Sequence, residues 1–357
     1  MIARKIGDLM NKTIKINNIE AKPGEKKCGF LKIGETATRS LEMPLVIING
    51  KNDGPILCLT AGTHGCEYPG IAAVIRVLKE TNPEKLSGAI LGVPIINMDC
   101  FENRRPYLVG PVPFGSEYLA LREAQPDPFG MLGARLRHVL MNDVVNKADM
   151  RIDCHGGDFD ERLNPNTYFR EIGDEKHDET SKILSRIYGF RYVIQQPTRT
   201  MQPGEKNVPS IVAECGGIKT LLESDVVQHV EGMRNVMKFF KMIEGRPRIR
   251  VKQLYVKEFC SMVRVEKGGF FVPKIDVGDK VSKGQIVGEI WNIWGDLLET
   301  LGSPCDGIVR KMYSNHAAST GEPLIQIMKS PEPVPPFPLT DPYIELDEYD
   351  QTSKIYV

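Results

Sequence analysis

The chain has 357 residues, of which 46 are basic, 46 are acidic and 41% are hydrophobic. This length fits one large domain and one smaller one, and the composition is typical of a globular protein. The balanced charge lacks the basic footprint of nucleic-acid binding, and no run of about 18 apolar residues suits a membrane span. The N-terminus has no signal-peptide core. We therefore expect a cytoplasmic protein with a small-molecule substrate and leave a homo-oligomer open.

The chain first predicts β-structure and then an α/β domain. Short β-type runs over residues 1–50 indicate N-terminal strands that pack on the α/β domain that follows. Over residues 51–246, uniformly apolar runs such as ILCLTAG, ILGVPIIN, MRIDC and SIVAE alternate with helical patterns near residues 68–80, 131–147 and 224–244. This alternation predicts an open, mixed, largely parallel sheet flanked by helices.

Residues 247–329 return to short strands and glycine turns. The stretches VGDKVSKGQIVGEI and SPCDGIV resemble the turns of the biotinyl/lipoyl-like fold, which implies a smaller all-β barrel-sandwich domain. A carrier role is not expected, because the segment between the two halves, WNIWGDLLET, contains no lysine. Residues 330–357 are predicted to form an extended tail.

The eight cysteines are scattered without C-x-x-C pairs, and most lie within apolar runs. This pattern indicates reduced, buried thiols rather than a disulfide frame. The histidines at positions 138 and 229 lie in helical patterns, so we expect them at the surface or at the edge of the core.

Polar residues directly follow three predicted strands: His64 and Glu67 after ILCLTAG, His155 after MRIDC, and Glu214 at the end of SIVAE. In open α/β sheets, ligands bind beyond the carboxyl ends of the strands. Two histidines and one glutamate leave the fourth position of zinc open for water, whose pKa then falls towards about 7. The pattern therefore predicts one Zn²⁺ per chain and metal-assisted hydrolysis.

Two other interpretations of these residues stay open. His64 and Glu67 could be a loop histidine and an acid favoured by the helix dipole. Alternatively, thiolates of the three cysteines that adjoin the predicted site residues could bind the metal or act as nucleophiles.

The segments AGTHGCEYPG, IDCHGG and VAECGG, in this order, resemble the succinylglutamate desuccinylase/aspartoacylase family, which is related to zinc carboxypeptidases. The resemblance implies that His64, Glu67 and His155 bind zinc. It also implies that Glu214 is the general base, and the barrel-like C-terminal unit is similar to the one that this family appends.

Burial at the end of an apolar strand would independently raise the pKa of Glu214 towards the range of a working base, unless an arginine pairs with it. Asp153 lies two residues before His155, so both side chains project to one side of the strand. Asp153 could accept the second N–H of the ligand histidine, or could make an ordinary strand-end turn contact.

The resemblance also implies an arginine that stabilises the oxyanion. The segment NMDCFENRRPY offers Arg104 and Arg105, of which we favour Arg105. The Asn-Arg pair with which the family grips a substrate carboxylate is not found in the segment that follows. Arg122 and Arg170 are candidate substitutes, although neither matches a motif.

The leading hypothesis is a zinc-dependent hydrolase that cleaves the amide bond of a small N-acyl amino acid or acylated amine. One alternative is a zinc carboxypeptidase acting on short peptides, since the same metal triad serves both reactions. The other is a non-catalytic binding protein on a degenerate hydrolase fold, which the missing Asn-Arg pair would favour.

Overall fold

The computed structural model of the chain describes residues 12–104, 126–198, 207–334 and 345–346. Arg105 and Arg122 lie outside these ranges. The helices are α1 Tyr68–Glu80, α2 Met98–Glu102, α3 Leu132–His138, α4 Glu175–Tyr188 and α5 Glu223–Phe239, with short helical turns at Pro83–Lys85, Val139–Val144 and Val145–Lys147. No helix in the described ranges is long and apolar enough to cross a membrane.

The strands are β1 Ile14–Ile16, β2 Ile19–Ala21, β3 Glu25–Glu35, β4 Ser40–Asn49, β5 Asn52–Ala61, β6 Ser87–Val93, β7 Met150–His155, β8 Glu161–Leu163, β9 Asn166–Arg170, β10 Tyr192–Gln196, β11 Ser210–Glu214 and β12 Arg248–Ile249. They continue with β13 Leu254–Val256, β14 Val263–Arg264, β15 Gly269–Pro273, β16 Lys280–Val281, β17 Ile286–Trp291, β18 Leu297–Gly302, β19 Gly307–Tyr313, β20 Ala317–Ala318, β21 Pro323–Lys329, β22 Glu332–Pro333 and β23 Glu345–Leu346.

Ten strands form one large mixed sheet in the order β22-β13-β10-β9-β11-β7-β5-β6-β4-β3. Within it, β13, β10 and β9 are parallel to one another, as are β11, β7, β5 and β6, while the remaining pairs are antiparallel. The predicted mixed sheet flanked by helices is confirmed. Its central strands are mainly apolar because both faces are covered.

One face of the sheet packs against α1, α4 and α5 in a single hydrophobic cluster. Helix α1 has the predicted bounds, and its first turn contains Pro69, which suits that position because the first helical N–H groups need no partner. Helix α5 ends at Phe239, five residues before the predicted end. Helix α4 was not predicted; Asp174 caps its first turn by accepting a 2.9 Å hydrogen bond from the His177 N–H, and Gly189 ends it at φ 95°.

The C-terminal part of the chain contains two antiparallel sheets. One has the order β14-β21-β19-β16, with β8 also pairing with β19, and the other has the order β18-β17-β15-β20. A hydrophobic cluster fills the space between their strands. The two parts of the chain share strands, because β8 precedes the C-terminal part in sequence and β13 and β22 pair into the large sheet.

Cys260 and Cys305 form a disulfide with a Cα–Cα distance of 6.3 Å. The prediction of reduced thiols was therefore wrong for this pair. The two residues lie 45 positions apart, and their spacing carries no signal of pairing until the C-terminal sheets bring them together. The other six cysteines are free, and five of them are buried as predicted.

Candidate metal centre

The sheet register brings the predicted residues of three strands to one end of the sheet. In the parallel pair β11 and β7, Glu214 lies beside His155. In the parallel pair β5 and β7, Thr60 lies beside Asp153. Because paired residues in a sheet point to the same face, His155 and Glu214 project side by side at the carboxyl ends of their strands.

The loop between β5 and α1 supplies the other two residues. Gly62 turns the chain out of β5 at φ 68°, and a Cβ at this position would lie 2.9 Å from the Cα of Ile95. Glu67 occupies the N-cap position of α1, yet its side chain makes no capping hydrogen bond. Instead, Oε2 of its carboxylate lies 3.0 Å from Nδ1 of His155. The N-cap position of Glu67 is compatible with the helix-dipole interpretation, but its side chain is directed to His155 and not to the helix N–H groups.

His64, Glu67 and His155 form a group that can hold a metal ion. Each offers one ligand atom, and these atoms lie within 4.8 Å of one another. A tetrahedral zinc ion with bonds of about 2.1 Å would hold its ligands about 3.4 Å apart, so small side-chain rotations suffice. Glu67 is 3% exposed, and its buried Oε2 accepts no hydrogen bond of good geometry from the described part of the chain. A cation would satisfy this oxygen.

The surroundings of His155 favour positive charge. Burial alone would lower the pKa of His155, but the carboxylates of Glu67 and Asp153 on either side raise it well above its usual value. Burial also raises the pKa of Glu67, although the charge of His155 opposes this. A buried imidazole between two carboxylates therefore marks a place where a cation is electrostatically stabilised.

Asp153 holds the far side of the His155 ring. Its Oδ2 lies 3.3 Å from Nε2 of His155 and 2.8 Å from the Arg151 guanidinium, and its Oδ1 accepts a 2.5 Å hydrogen bond from Thr60. Burial disfavours the charged form of Asp153, but the charges of Arg151 and His155 outweigh it and keep its pKa far below the usual range. Asp153 thus lies where it could orient the His155 ring, and this role stays a prediction. Arg151 and Thr60 were not singled out, although the alternation of Arg151 with Asp153 along β7 and the position of Thr60 near the end of β5 could have indicated them.

Glu214 has the properties expected of a base. Burial raises its pKa to about 7; the charge of His155 opposes this shift, Glu67 adds to it, and Arg310 opposes it. No arginine lies within ion-pair distance of Glu214 among the described residues. The alternative of a simple glutamate–arginine pair is thus not supported there.

His229 lies behind the metal group, and the prediction of a surface or core-edge position was wrong for this residue. It is 0% exposed. Its Nε2 lies 3.1 Å from the carbonyl oxygen of His155, and its Nδ1 lies 2.8 Å from the hydroxyl of Tyr188. A neutral ring that donates from Nε2 and accepts at Nδ1 satisfies both contacts. The spacing of position 229 with Val226 and Met233 along α5 was the available signal.

Two of the four predicted arginines can be placed. Arg104 follows α2, is exposed and has φ 56°, and its role remains a prediction. Arg170 does not fit a substrate-binding role. Strand β9 runs antiparallel to β11 with Asn166 beside Glu214, so Arg170 lies at the other end of β9, about 13 Å further along the strand. It contacts Gln196 there, at 2.8 Å.

The cysteines next to the site do not resemble metal or nucleophilic thiolates. Cys154 and Cys215 are fully buried behind the sheet, as the alternation of strand side chains predicted. Burial raises the pKa values of Cys66 and Cys154 to about 12, and it raises that of Cys215 well above the usual value. These shifts favour neutral thiols.

The fold and the site define an α/β protein with a candidate metal centre at the carboxyl ends of its strands. Residues 53–240, more than half of the chain, match the family model of the succinylglutamate desuccinylase/aspartoacylase catalytic domain. The chain belongs to this family, which confirms the resemblance seen in its motifs and supports an amide-cleaving hydrolase.

Individual relatives agree with this assignment. The chain is 23% identical over 283 residues to N-alpha-acetyl-L-2,4-diaminobutyric acid deacetylase of Halomonas elongata, covering 74% of this chain and 80% of that protein. Its fold is similar to the product-bound ectoine utilization protein EutE (DoeB) of Ruegeria pomeroyi, with TM-score 0.76, 19% identity and coverage of 85% and 95% of the two chains. It is also similar to a succinylglutamate desuccinylase/aspartoacylase of Rhodobacter sphaeroides, with TM-score 0.75, 22% identity and coverage of 85% of this chain and 95% of that one.

Proposed function

We propose that the protein is a zinc-dependent deacylase that hydrolyses the amide bond of a small N-acyl amino acid or acylated amine. The carrying observation is the convergence of His64, Glu67 and His155 next to Glu214 at one end of the sheet. Family membership supports amide hydrolysis, and the Halomonas elongata relative is named as an N-acetyl amino acid deacetylase.

The donor set suits zinc. Two imidazoles and one carboxylate are a common three-ligand set of catalytic zinc, and the unsatisfied oxygen of Glu67 is one of the donors. His64, Glu67 and His155 would hold the ion, which when bound would polarise the amide carbonyl and lower the pKa of water. Asp153 would keep the His155 ring oriented so that Nδ1 faces the ion.

Glu214 would move the proton. Water forms a bond to the amide carbon while the Glu214 carboxylate takes a proton from it. The C–N bond then breaks, and Glu214 returns the proton to the leaving amine, so that a carboxylic acid and a free amine are formed. A pKa of about 7 lets one group both accept and donate a proton near neutral pH. The oxyanion role stays with Arg105, as predicted from the sequence.

Glu214→Gln in the zinc-loaded protein tests this assignment. We expect release of amine from N-acetyl-L-2,4-diaminobutyrate to fall about 10²- to 10⁴-fold, the usual contribution of general acid–base catalysis. Elemental analysis should still find one zinc per chain. Glu223→Gln is the matched control, because Glu223 is exposed and pairs with Arg76 on the surface. Full activity of Glu214→Gln would show that Glu214 is not the general base.

The same assay separates the alternative functions. Faster cleavage of short peptides with free C-termini than of N-acyl amino acids would favour a carboxypeptidase. A protein that is purified without zinc and takes none up would favour the non-catalytic binding protein.

A further inference from the structure

Strand β19, in the C-terminal part of the chain, lies next to the segment that follows His155. It pairs with β8, which begins six residues after His155, and Tyr313 lies opposite Glu161 in this pair. Lys311 of β19 also reaches Glu161, with 2.5 Å between Nζ and Oε1. The loop that follows His155 is therefore held directly by the C-terminal part of the chain.

Arg310 lies at an irregularity in this strand. Val309 pairs with Ile327 and Lys311 with Gln326, so Arg310 is an extra residue in the register between β19 and β21. Such bulges redirect a side chain and are frequent beside active sites. Arg310 is 5% exposed, and it donates a 2.8 Å hydrogen bond to Oε1 of Gln326.

The guanidinium of Arg310 lies on the face of the large sheet that carries the base. Its central carbon is 5.0 Å from the centre of the Tyr168 ring. Tyr168 pairs with Val212, which precedes Glu214 by two residues, so the side chains of all three project to the same face. Burial raises the pKa of Glu214 and that of Tyr168, and the positive charge of Arg310 opposes both shifts, so the guanidinium acts on both neighbours.

This buried cation has no carboxylate partner within 4.0 Å in the part of the chain that the structure describes. Its buried Nε has no hydrogen-bond acceptor there either, whereas the neighbouring Lys311 is paired with Glu161. A buried charge without a counterion is costly, and the ring of Tyr168 offsets only part of this cost. An anionic group of a ligand would supply the missing partner.

The geometry points to Arg310 as the residue that recognises the carboxylate of the substrate, and hence to an N-acyl amino acid rather than a simple acylated amine as the substrate class. This inference rests on the proposed deacylase function. Arg310 would take the place of the Asn-Arg pair that is not found in the segment after Arg105. It would determine specificity by binding, without a part in the proton transfers.

The test compares two substrates that differ only by the carboxylate, N-acetyl-L-2,4-diaminobutyrate and N-acetyl-1,3-diaminopropane. In the zinc-loaded full chain, Arg310→Gln should lower the ratio of kcat/KM for the first substrate to that for the second about 10- to 100-fold, the scale of a charged hydrogen bond. The change should lie mainly in KM. Taking the ratio cancels the effect of the lost charge on Glu214.

Two further variants control the test. Arg310→Lys keeps the charge but loses the planar fork of the guanidinium, so the ratio should fall less than in Arg310→Gln. If the glutamine variant does not fold, the lysine variant alone tests the inference. Lys329→Gln removes an exposed cation of β21 that pairs with Glu258, and it should leave the ratio unchanged. An unchanged ratio in both Arg310 variants, or an equal loss for both substrates, would overturn the inference and leave Arg310 a structural residue.

Binding measurements separate this inference from the proposed function. By calorimetry, wild-type protein should bind L-2,4-diaminobutyrate more tightly than 1,3-diaminopropane, and Arg310→Gln should abolish this preference. Absence of turnover together with this pattern would refute the deacylase but support the carboxylate site. Equal affinity of wild type for the two amines would refute the carboxylate site whatever the turnover.

Discussion

Replacing His229 by glutamine should make the stability of the protein less sensitive to acid. Burial lowers the pKa of His229 to about 4, against an ordinary value of 6.5, while hydrogen bonds to backbone groups only partly oppose this shift. Between these two pH values the unfolded chain binds a proton that the folded protein excludes. The free energy of unfolding therefore falls as the pH drops through this range.

The size of the effect follows from the two pKa values. Each pH unit between them corresponds to about 1.4 kcal/mol, so His229 should account for about 3 kcal/mol of lost stability between pH 6.5 and pH 4. Glutamine does not titrate, and its amide can still donate to the carbonyl of His155. At neutral pH the variant should be weaker by about 1 kcal/mol, because the Tyr188 hydroxyl loses its 2.8 Å bond to Nδ1 of His229 and keeps only the 3.3 Å bond to the backbone carbonyl oxygen of that residue.

Urea unfolding followed by circular dichroism between pH 7 and pH 4 would measure this difference, with a chelator present so that zinc does not contribute. Carboxylates that titrate in this pH range do so in both proteins, and their contribution cancels in the comparison. If wild type and His229→Gln lost the same stability as the pH falls, His229 would not be a buried neutral imidazole in the folded protein.

Three further outcomes are expected. Asp153→Asn should weaken zinc affinity about 10- to 100-fold, measured by competition with a coloured chelator, because the His155 ring loses its charged partner; unchanged affinity would contradict the role of Asp153. Removing zinc from the wild-type protein should abolish amine release and re-addition should restore it, whereas activity that persists in metal-free protein would exclude a catalytic metal. Replacing Cys260 and Cys305 by serine should lower the free energy of unfolding by about 4 kcal/mol in denaturant titrations, as expected for opening a 45-residue loop, and an unchanged value would argue against the disulfide.

The central strands and α1 could be predicted because local patterns determine them. Apolar runs of strand length and a helical period with proline in the first turn are short-range signals. The metal group could also be predicted from the sequence, since His64, Glu67 and His155 each follow a recognisable strand end. Helix α4 was missed because its sequence, EKHDETSKILSRIY, is mostly polar and only one side of it is buried.

Long-range pairing explains the other differences. The contact of His229 with His155, the disulfide and the position of Arg170 all depend on which strands and helices become neighbours. Strand β9 turns out antiparallel to β11, and no local pattern states this direction. Arg310 was not singled out either, because a bulge depends on the partner strand as much as on its own residues.

The strand exchange between the two parts of the chain limits how the protein can be divided. A truncation after residue 246, where the sequence predicts a domain boundary, would remove β13 and expose the edge of β10. Unpaired edges of this kind promote aggregation. The same cut would remove β19, the strand that pairs with β8 in the segment after His155. A shortened catalytic fragment should therefore be a poor substitute for the whole chain in crystallisation or engineering, and grafting a new pocket requires both parts to be redesigned together.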